Sequence, residues 1–192
     1  DIHELNIVRK HISEVKGGRL ADLAAPAKLV TVIFSDVPGN DLSTIASGCT
    51  VLDESTVEDA ENIISQYNLL SHIDLDTIEL SESPKDPGIF ATVDNLLILD
   101  PTSAVLAMQQ KAEEIGYTTE IYSTELQGEA QSVGHELLEQ AKPGVATLAS
   151  GETTVNVSGS GVGGRNQQLV LTNLQNIKKN QVLISAASDG HD

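Results

Sequence analysis

Tryptophan is absent from the 192 residues, aromatic side chains make up only 3%, and there is a single cysteine, Cys49. A core must therefore be built from Leu, Ile, Val and Ala, and no internal disulfide can staple it. Basic residues are scarce: Lys+Arg number 11 against 28 Asp+Glu, a formal net charge of -17. That balance excludes a basic nucleic-acid footprint. Long apolar runs are also missing. The longest, Lys28 to Phe34 and Asn95 to Leu99, are strand-sized and far short of the run of about 20 residues that a membrane helix needs. Nothing at the N-terminus joins a basic region to an apolar run, so no secretory signal is visible and a soluble, cytoplasmic protein is expected, without nucleic-acid or membrane partners.

What is present is a globular composition, 40% hydrophobic. At this length one or two domains are expected, burying roughly 70% of the unfolded surface. The chain begins at Asp1 rather than Met and stops in the polar run Ser188-Asp-Gly-His-Asp192, so a fragment is expected. Charge is uneven. Five of the eleven basic residues lie in the first 28 positions, and none occurs from Leu29 to Pro84, a stretch with eleven acids that reads first as a solvated surface.

Lys28 to Phe34 reads as a strand buried on both faces that runs into the turn Ser35 to Asn40. Asp53 to Thr56 offers N-caps for a helix carrying Val57, Ala60, Ile64 and Tyr67 on one face. A loop over Ser81 to Gly88 precedes a strand at Asn95 to Leu99. Asp100 then caps a helix closed by Gly116, and Tyr117 to Tyr122 completes a βαβ unit. The reading continues with a helix over Glu129 to Ala141, strands Val145 to Ala149 and Thr153 to Val157, a glycine-rich turn, a helix over Arg165 to Ile177 and a strand Gln181 to Ala186. This alternation predicts an α/β fold, a parallel or mixed sheet with flanking helices, divided at Lys142 to Gly144 into regions 1–144 and 145–192.

Two of the three arginines follow paired glycines, Gly17-Gly18-Arg19 and Gly163-Gly164-Arg165. Glycine lets the backbone approach an anion closely, and a guanidinium forks onto a carboxylate or phosphate. Either arginine also reads as a surface salt-bridge partner. The turn from Gly159 to Gly164 matches the G-x-G-x-x-G dinucleotide pattern, which alone is a weak signal. No P-loop pattern occurs. Asp36, Asp41 and Asp189 follow apolar strands, where carboxylates hold Mg²⁺ or accept a hydroxyl proton, and each reads equally as a turn former. The five histidines show no zinc spacing, and no serine sits in a G-x-S-x-G nucleophile pattern.

Six motifs resemble one family in order and spacing along essentially the whole chain. They are Val8-Arg-Lys-His11, Lys16-Gly-Gly-Arg-Leu-Ala21, Ser35-Asp-Val-Pro-Gly-Asn-Asp-Leu-Ser-Thr-Ile-Ala-Ser-Gly48, Gly151-Glu-Thr153, Gly161-Val-Gly-Gly-Arg-Asn-Gln167 and Ser188-Asp-Gly190. They resemble the glycerate 2-kinase family, the group with a MOFRL C-terminal region, some members of which are labelled hydroxypyruvate reductase. The resemblance implies an ATP- and Mg²⁺-dependent kinase for D-glycerate, built from two α/β domains. It also implies a longer parent, with an N-terminal region carrying a catalytic lysine and a Gly-Gly-Gly-Ser type loop. Asn40, Cys49, Gln168 and Ala187-Ser188 depart from the usual family residues.

Carried over by motif, Arg165 and Asp189 are implied catalytic residues. Lys16, Arg19, Ser47, Glu152, Gly163, Gly164 and Asn166 are implied substrate or phosphate ligands, and Asp36, Asp41 and Asp192 implied metal ligands. Two readings stand beside the kinase: an NAD(P)H-dependent hydroxypyruvate reductase, and a catalytically incomplete folded module. A small-molecule partner is expected, and a homodimer is left open.

Overall fold

The computed structural model describes residues 1–69, 79–188 and 190, arranged as two compact units, Asp1–Ile98 and Leu99–Asp192. The division falls at the end of a strand, and the Lys142 to Gly144 turn lies inside the second unit. The α/β class holds, with the described strands in two separate two-stranded sheets.

In the first unit, α1 (Ile2–Ile12) opens with a capping box in which Asp1 accepts from the Glu4 amide. Its buried residues are Asn6, Lys10 and His11, so the face turned inward is polar. A short α2 (Arg19–Ala24) leads to β1 (Leu29–Phe34), which pairs with β2 (Val93–Leu99). Sequence patterning suggested that β1 is covered on both faces. Instead Ile33 is buried while Val30, Val32 and Phe34 are each more than half exposed, because the two-stranded sheet is covered on one side only within this unit. Helix α3 (Val57–Gln66) starts as expected, with Thr56 as N-cap in a capping box with Asp59, and buries Ala60 and Ile64.

In the second unit, α4 (Pro101–Glu114) is capped by Asp100, whose carboxylate accepts from the Ser103 amide at 2.7 Å. β3 (Thr118–Glu129), α5 (Ala130–Gln140) and β4 (Val145–Thr154) form a parallel βαβ unit. The expected unit joined β2 to β3 through α4, but those strands belong to different sheets. β3 is longer than expected, and the two strands predicted between 145 and 157 are one. The cause is Gly151. It sits opposite Leu126 at a register shift, with φ 152°, and a Cβ there would lie 2.1 Å from the Leu126 carbonyl oxygen. Only glycine lets the ladder pass this irregularity without interruption.

Helix α6 (Arg165–Leu171) is shorter than predicted. Thr172 Oγ1 bonds back to the Gln168 carbonyl at 2.6 Å, and the buried Asn173 amide donates to the Leu169 and Gln131 carbonyls at 3.0 and 2.9 Å. The Asn173 side chain takes the Leu169 carbonyl, which its own backbone amide would use in a continuing helix, and that amide turns to the Val170 carbonyl instead. Residues 181–187 alternate in burial as a strand would, with Leu183 on the core of Ala130, Val133 and Leu169, but they join no sheet among the described residues.

Candidate functional site

Three candidate residues of the first unit, Lys16, Arg19 and Ser47, lie where two left-handed turns meet. After α1, Ser13 Oγ accepts from the Val15 and Lys16 amides and turns the chain, and Gly17 and Gly18 follow at φ 60° and 83°. Opposite them Ala46, Ser47 and Gly48 are all left-handed, at φ 50°, 58° and 65°. For alanine and serine this conformation costs roughly 1–2 kcal/mol each, so the surroundings must enforce it. The enforcing contacts are the Gly17 amide to the Ser47 carbonyl at 3.0 Å and the Gly18 amide to the Gly48 carbonyl at 2.7 Å. No larger residue fits at Gly18, where a Cβ would meet Phe90 at 2.7 Å and the Val51 carbonyl at 2.8 Å.

This junction fixes three of the predicted ligands. Lys16 Nζ donates to the Ala46 carbonyl at 3.1 Å, and Arg19 Nη2 donates to the Ser81 carbonyl at 2.6 Å. Ser47 is buried, its hydroxyl donating to Asn6 Oδ1 at 3.0 Å, so it clamps the loop onto α1. Asp41 accepts from the Ser43 amide and hydroxyl and from the Thr44 hydroxyl, all within 2.9 Å. The Ser43 amide first, then the two hydroxyls and the charge of Lys10, hold its carboxyl below the ordinary value against the opposing effect of burial. Asp36 is exposed in the turn after β1. Among the described residues no three His, Cys, Asp or Glu side chains come together as a metal site, and Asp189 and Asp192 lie outside those residues.

In the second unit, the irregularity at Gly151 turns Glu152 toward the start of α6, where its carboxylate meets Arg165 Nη1 at 2.6 Å. Each partner is close to half exposed. Gly163 lies against Gln167, Gly164 is the N-cap of α6, and Asn166 Oδ1 accepts from the Ser185 hydroxyl. Glu152, Gly163, Gly164, Arg165 and Asn166 thus share one locality. Arg165, read both as an anion ligand and as a surface salt-bridge partner, has a carboxylate partner in Glu152.

Sequence reasoning missed a buried ionic network in the first unit. Lys10 Nζ donates to Asp53 Oδ1 at 3.0 Å, and Asp53 also accepts from Ser55. Lys85 Nζ reaches the Asp53 carbonyl and Ser83 Oγ, both at 2.8 Å, and the Ser55 carbonyl at 2.5 Å. Asp53 had been read as a helix cap. The signal that distinguishes it is the position of Thr56 and Asp59, which already complete a capping box.

Comparisons with known proteins agree with the motifs. Residues 1–80 match the family model described as a domain of unknown function, DUF4147, and residues 145–192 match that of the MOFRL family. The whole chain aligns at 37% identity with 48% of a D-glycerate 2-kinase of Thermotoga maritima. At 38% identity, 89% of it aligns with 48% of a putative hydroxypyruvate reductase of Agrobacterium vitis. The crystal structure of a glycerate kinase from Thermotoga maritima superposes with a TM-score of 0.77 and 35% identity over 93% of this chain and 45% of that one. The chain spans about half the length of these relatives. Six motifs, two family matches in sequence order and the superposition agree: the chain carries a DUF4147 region followed by a MOFRL region and is similar over its whole length to glycerate 2-kinases.

Proposed function

We propose that this chain is part of a glycerate 2-kinase, with residues 1–144 from its N-terminal region and 145–192 from the start of its MOFRL region. The complete enzyme phosphorylates D-glycerate on its 2-hydroxyl, using ATP, in the cytoplasm. The hydroxyl oxygen attacks the γ-phosphorus, the bond to the β-phosphate oxygen breaks and ADP leaves, and the hydroxyl proton passes to a base. Such a reaction asks the protein chiefly for positioning and charge neutralisation. The observation that carries this reading is the Glu152–Arg165 pair set beside the glycine-rich turn. A half-exposed guanidinium held by one carboxylate keeps donors for a phosphate or substrate carboxylate, and Glu152 fixes its direction. Asn166 lies beside it in the second unit, and Lys16 and Arg19 are the cations proposed to bind substrate or phosphate in the first.

The test is coupled turnover of ATP with D-glycerate by the full-length parent beside the 192-residue chain, with hydroxypyruvate and NADPH as the parallel assay. Phosphoglycerate formation by the parent supports the kinase, and its absence overturns it. NADPH oxidation without kinase activity would favour the reductase, the name borne by the Agrobacterium vitis relative.

A further inference from the structure

His11 is completely buried on α1, and its two ring nitrogens have unlike surroundings. Nδ1 lies 2.8 Å from the Ile7 carbonyl oxygen. A carbonyl can only accept, so Nδ1 carries a proton. Nε2 has no hydrogen-bond partner and lies 3.5 Å from Glu82 Oε1. In a neutral ring with its proton on Nδ1, Nε2 presents a lone pair, and a lone pair facing a carboxylate oxygen is repulsive. The contact is favourable only when a further proton lies between the two atoms.

Glu82 belongs to the segment Ser81 to Lys85, which straps α1 to α3. Ser81 donates its amide to the His11 carbonyl at 3.0 Å, and Glu82 accepts the Val57 amide at 3.1 Å. Lys85 sits 3.2 Å from Glu82 while holding the 53–55 turn. Among the described residues the charged groups around His11 are Glu82 and Lys85 on the strap, Asp59 on α3, and the neighbouring Lys10 of α1, itself paired with Asp53. Glu82 thus faces the imidazole, with Asp59, held by Thr56, a more distant negative charge, Lys85 opposing both, and the charge of Lys10 balanced by Asp53.

We infer that the Ser81 to Lys85 strap is a proton-sensitive latch: a proton between His11 Nε2 and Glu82 Oε1 closes it onto α1 and α3, and loss of that proton loosens it. The strap also supplies the Ser81 carbonyl that tethers Arg19. Loosening therefore frees a guanidinium that the closed latch holds on a neutral acceptor. The inference rests on the His11 geometry alone and stands whether or not the chain belongs to a kinase.

The experiment is ¹⁵N NMR of the imidazoles of the 192-residue chain across pH 5 to 8.5, with amide exchange at Val57 and Ser81 followed in the same samples. The latch requires that Nδ1 stay protonated throughout and that the titrating nitrogen be Nε2. As Nε2 loses its proton, exchange at Val57, corrected for its intrinsic pH dependence, should quicken roughly tenfold or more, the loss expected of a hydrogen bond to a charged group. In Glu82→Gln that step should vanish. Titration at Nδ1, a Val57 rate that follows only intrinsic exchange, or a step that survives in Glu82→Gln would each overturn the inference. Should Glu82→Gln fail to fold, the two wild-type readouts decide it alone.

Discussion

Lys10 Nζ and Asp53 Oδ1 lie 3.0 Å apart although 43 residues separate them in the chain, and both side chains are at least nine-tenths buried. The pair ties the C-terminal half of α1 to the turn before α3. Burial pushes the Asp53 carboxyl up, but the hydrogen bonds from Lys10 and Ser55 outweigh it, and the net position is below the ordinary carboxylate value. A depressed carboxyl stabilises the fold above its unfolded-state value, about 3.9, and that contribution disappears as pH falls through the lower folded-state value. The stability of the wild type against urea should accordingly fall below about pH 4. At pH 7, Asp53→Asn should cost about 3–5 kcal/mol by stranding Lys10, and pairing it with Lys10→Met should restore part of that. A double variant no more stable than the single one would contradict the coupling.

Gly18→Ala adds a methyl group against Phe90 and the Val51 carbonyl at a left-handed φ. Strain and overlap together should lower stability by about 2–4 kcal/mol. Gly39→Ala, at φ 76° with no atom within 4 Å, carries strain alone and should cost about 1–2 kcal/mol. Chemical denaturation of the two variants checks the difference.

Asn173 holds α6 against α5 at the point where Gly134 lets the helices approach, since a Cβ there would lie 2.5 Å from the Asn173 amide nitrogen. Asn173→Ala removes the amide donors to the Gln131 and Leu169 carbonyls and should destabilise by about 2–3 kcal/mol. Denaturation followed by amide exchange in α6 should show the loss concentrated in the second unit.

In the full-length parent, Arg165→Lys keeps the charge but cannot reproduce a two-point fork, and kcat/KM for D-glycerate should fall roughly tenfold to a hundredfold. Glu152→Gln should lower it less, because the guanidinium is still present but poorly aimed. Steady-state kinetics of both variants would settle this, and wild-type values for Arg165→Lys would remove it from the site.

The elements legible in the sequence were those whose signal is local. The cap candidates Asp53 to Thr56 announce α3, and Asp100 and Gly116 bracket α4. What escaped depends on partners distant in sequence. α1 was invisible because its buried face is Asn6, Lys10 and His11, which no apolar periodicity reveals. The single strand β4 was read as two because glycine within a strand looks like an interruption until its neighbour, Leu126, is seen. Of the site, the residues around Arg165 were legible as a motif, whereas the Glu152 ion pair and the burial of Ser47 followed only from the assembled structure.

The β3–α5–β4 crossover occupies one uninterrupted stretch, Thr118–Thr154, and its strands pair in parallel along nearly their whole length. Parallel pairing usually waits for distant segments to meet, which slows folding. Here the loop to be closed is a single helix with its turns, so the pairing needs nothing outside these residues. Its cover is not local: Ala130 and Val133 are buried against Leu169 of α6, so the helix after the glycine-rich turn closes a core whose strand pairing lies wholly upstream of it.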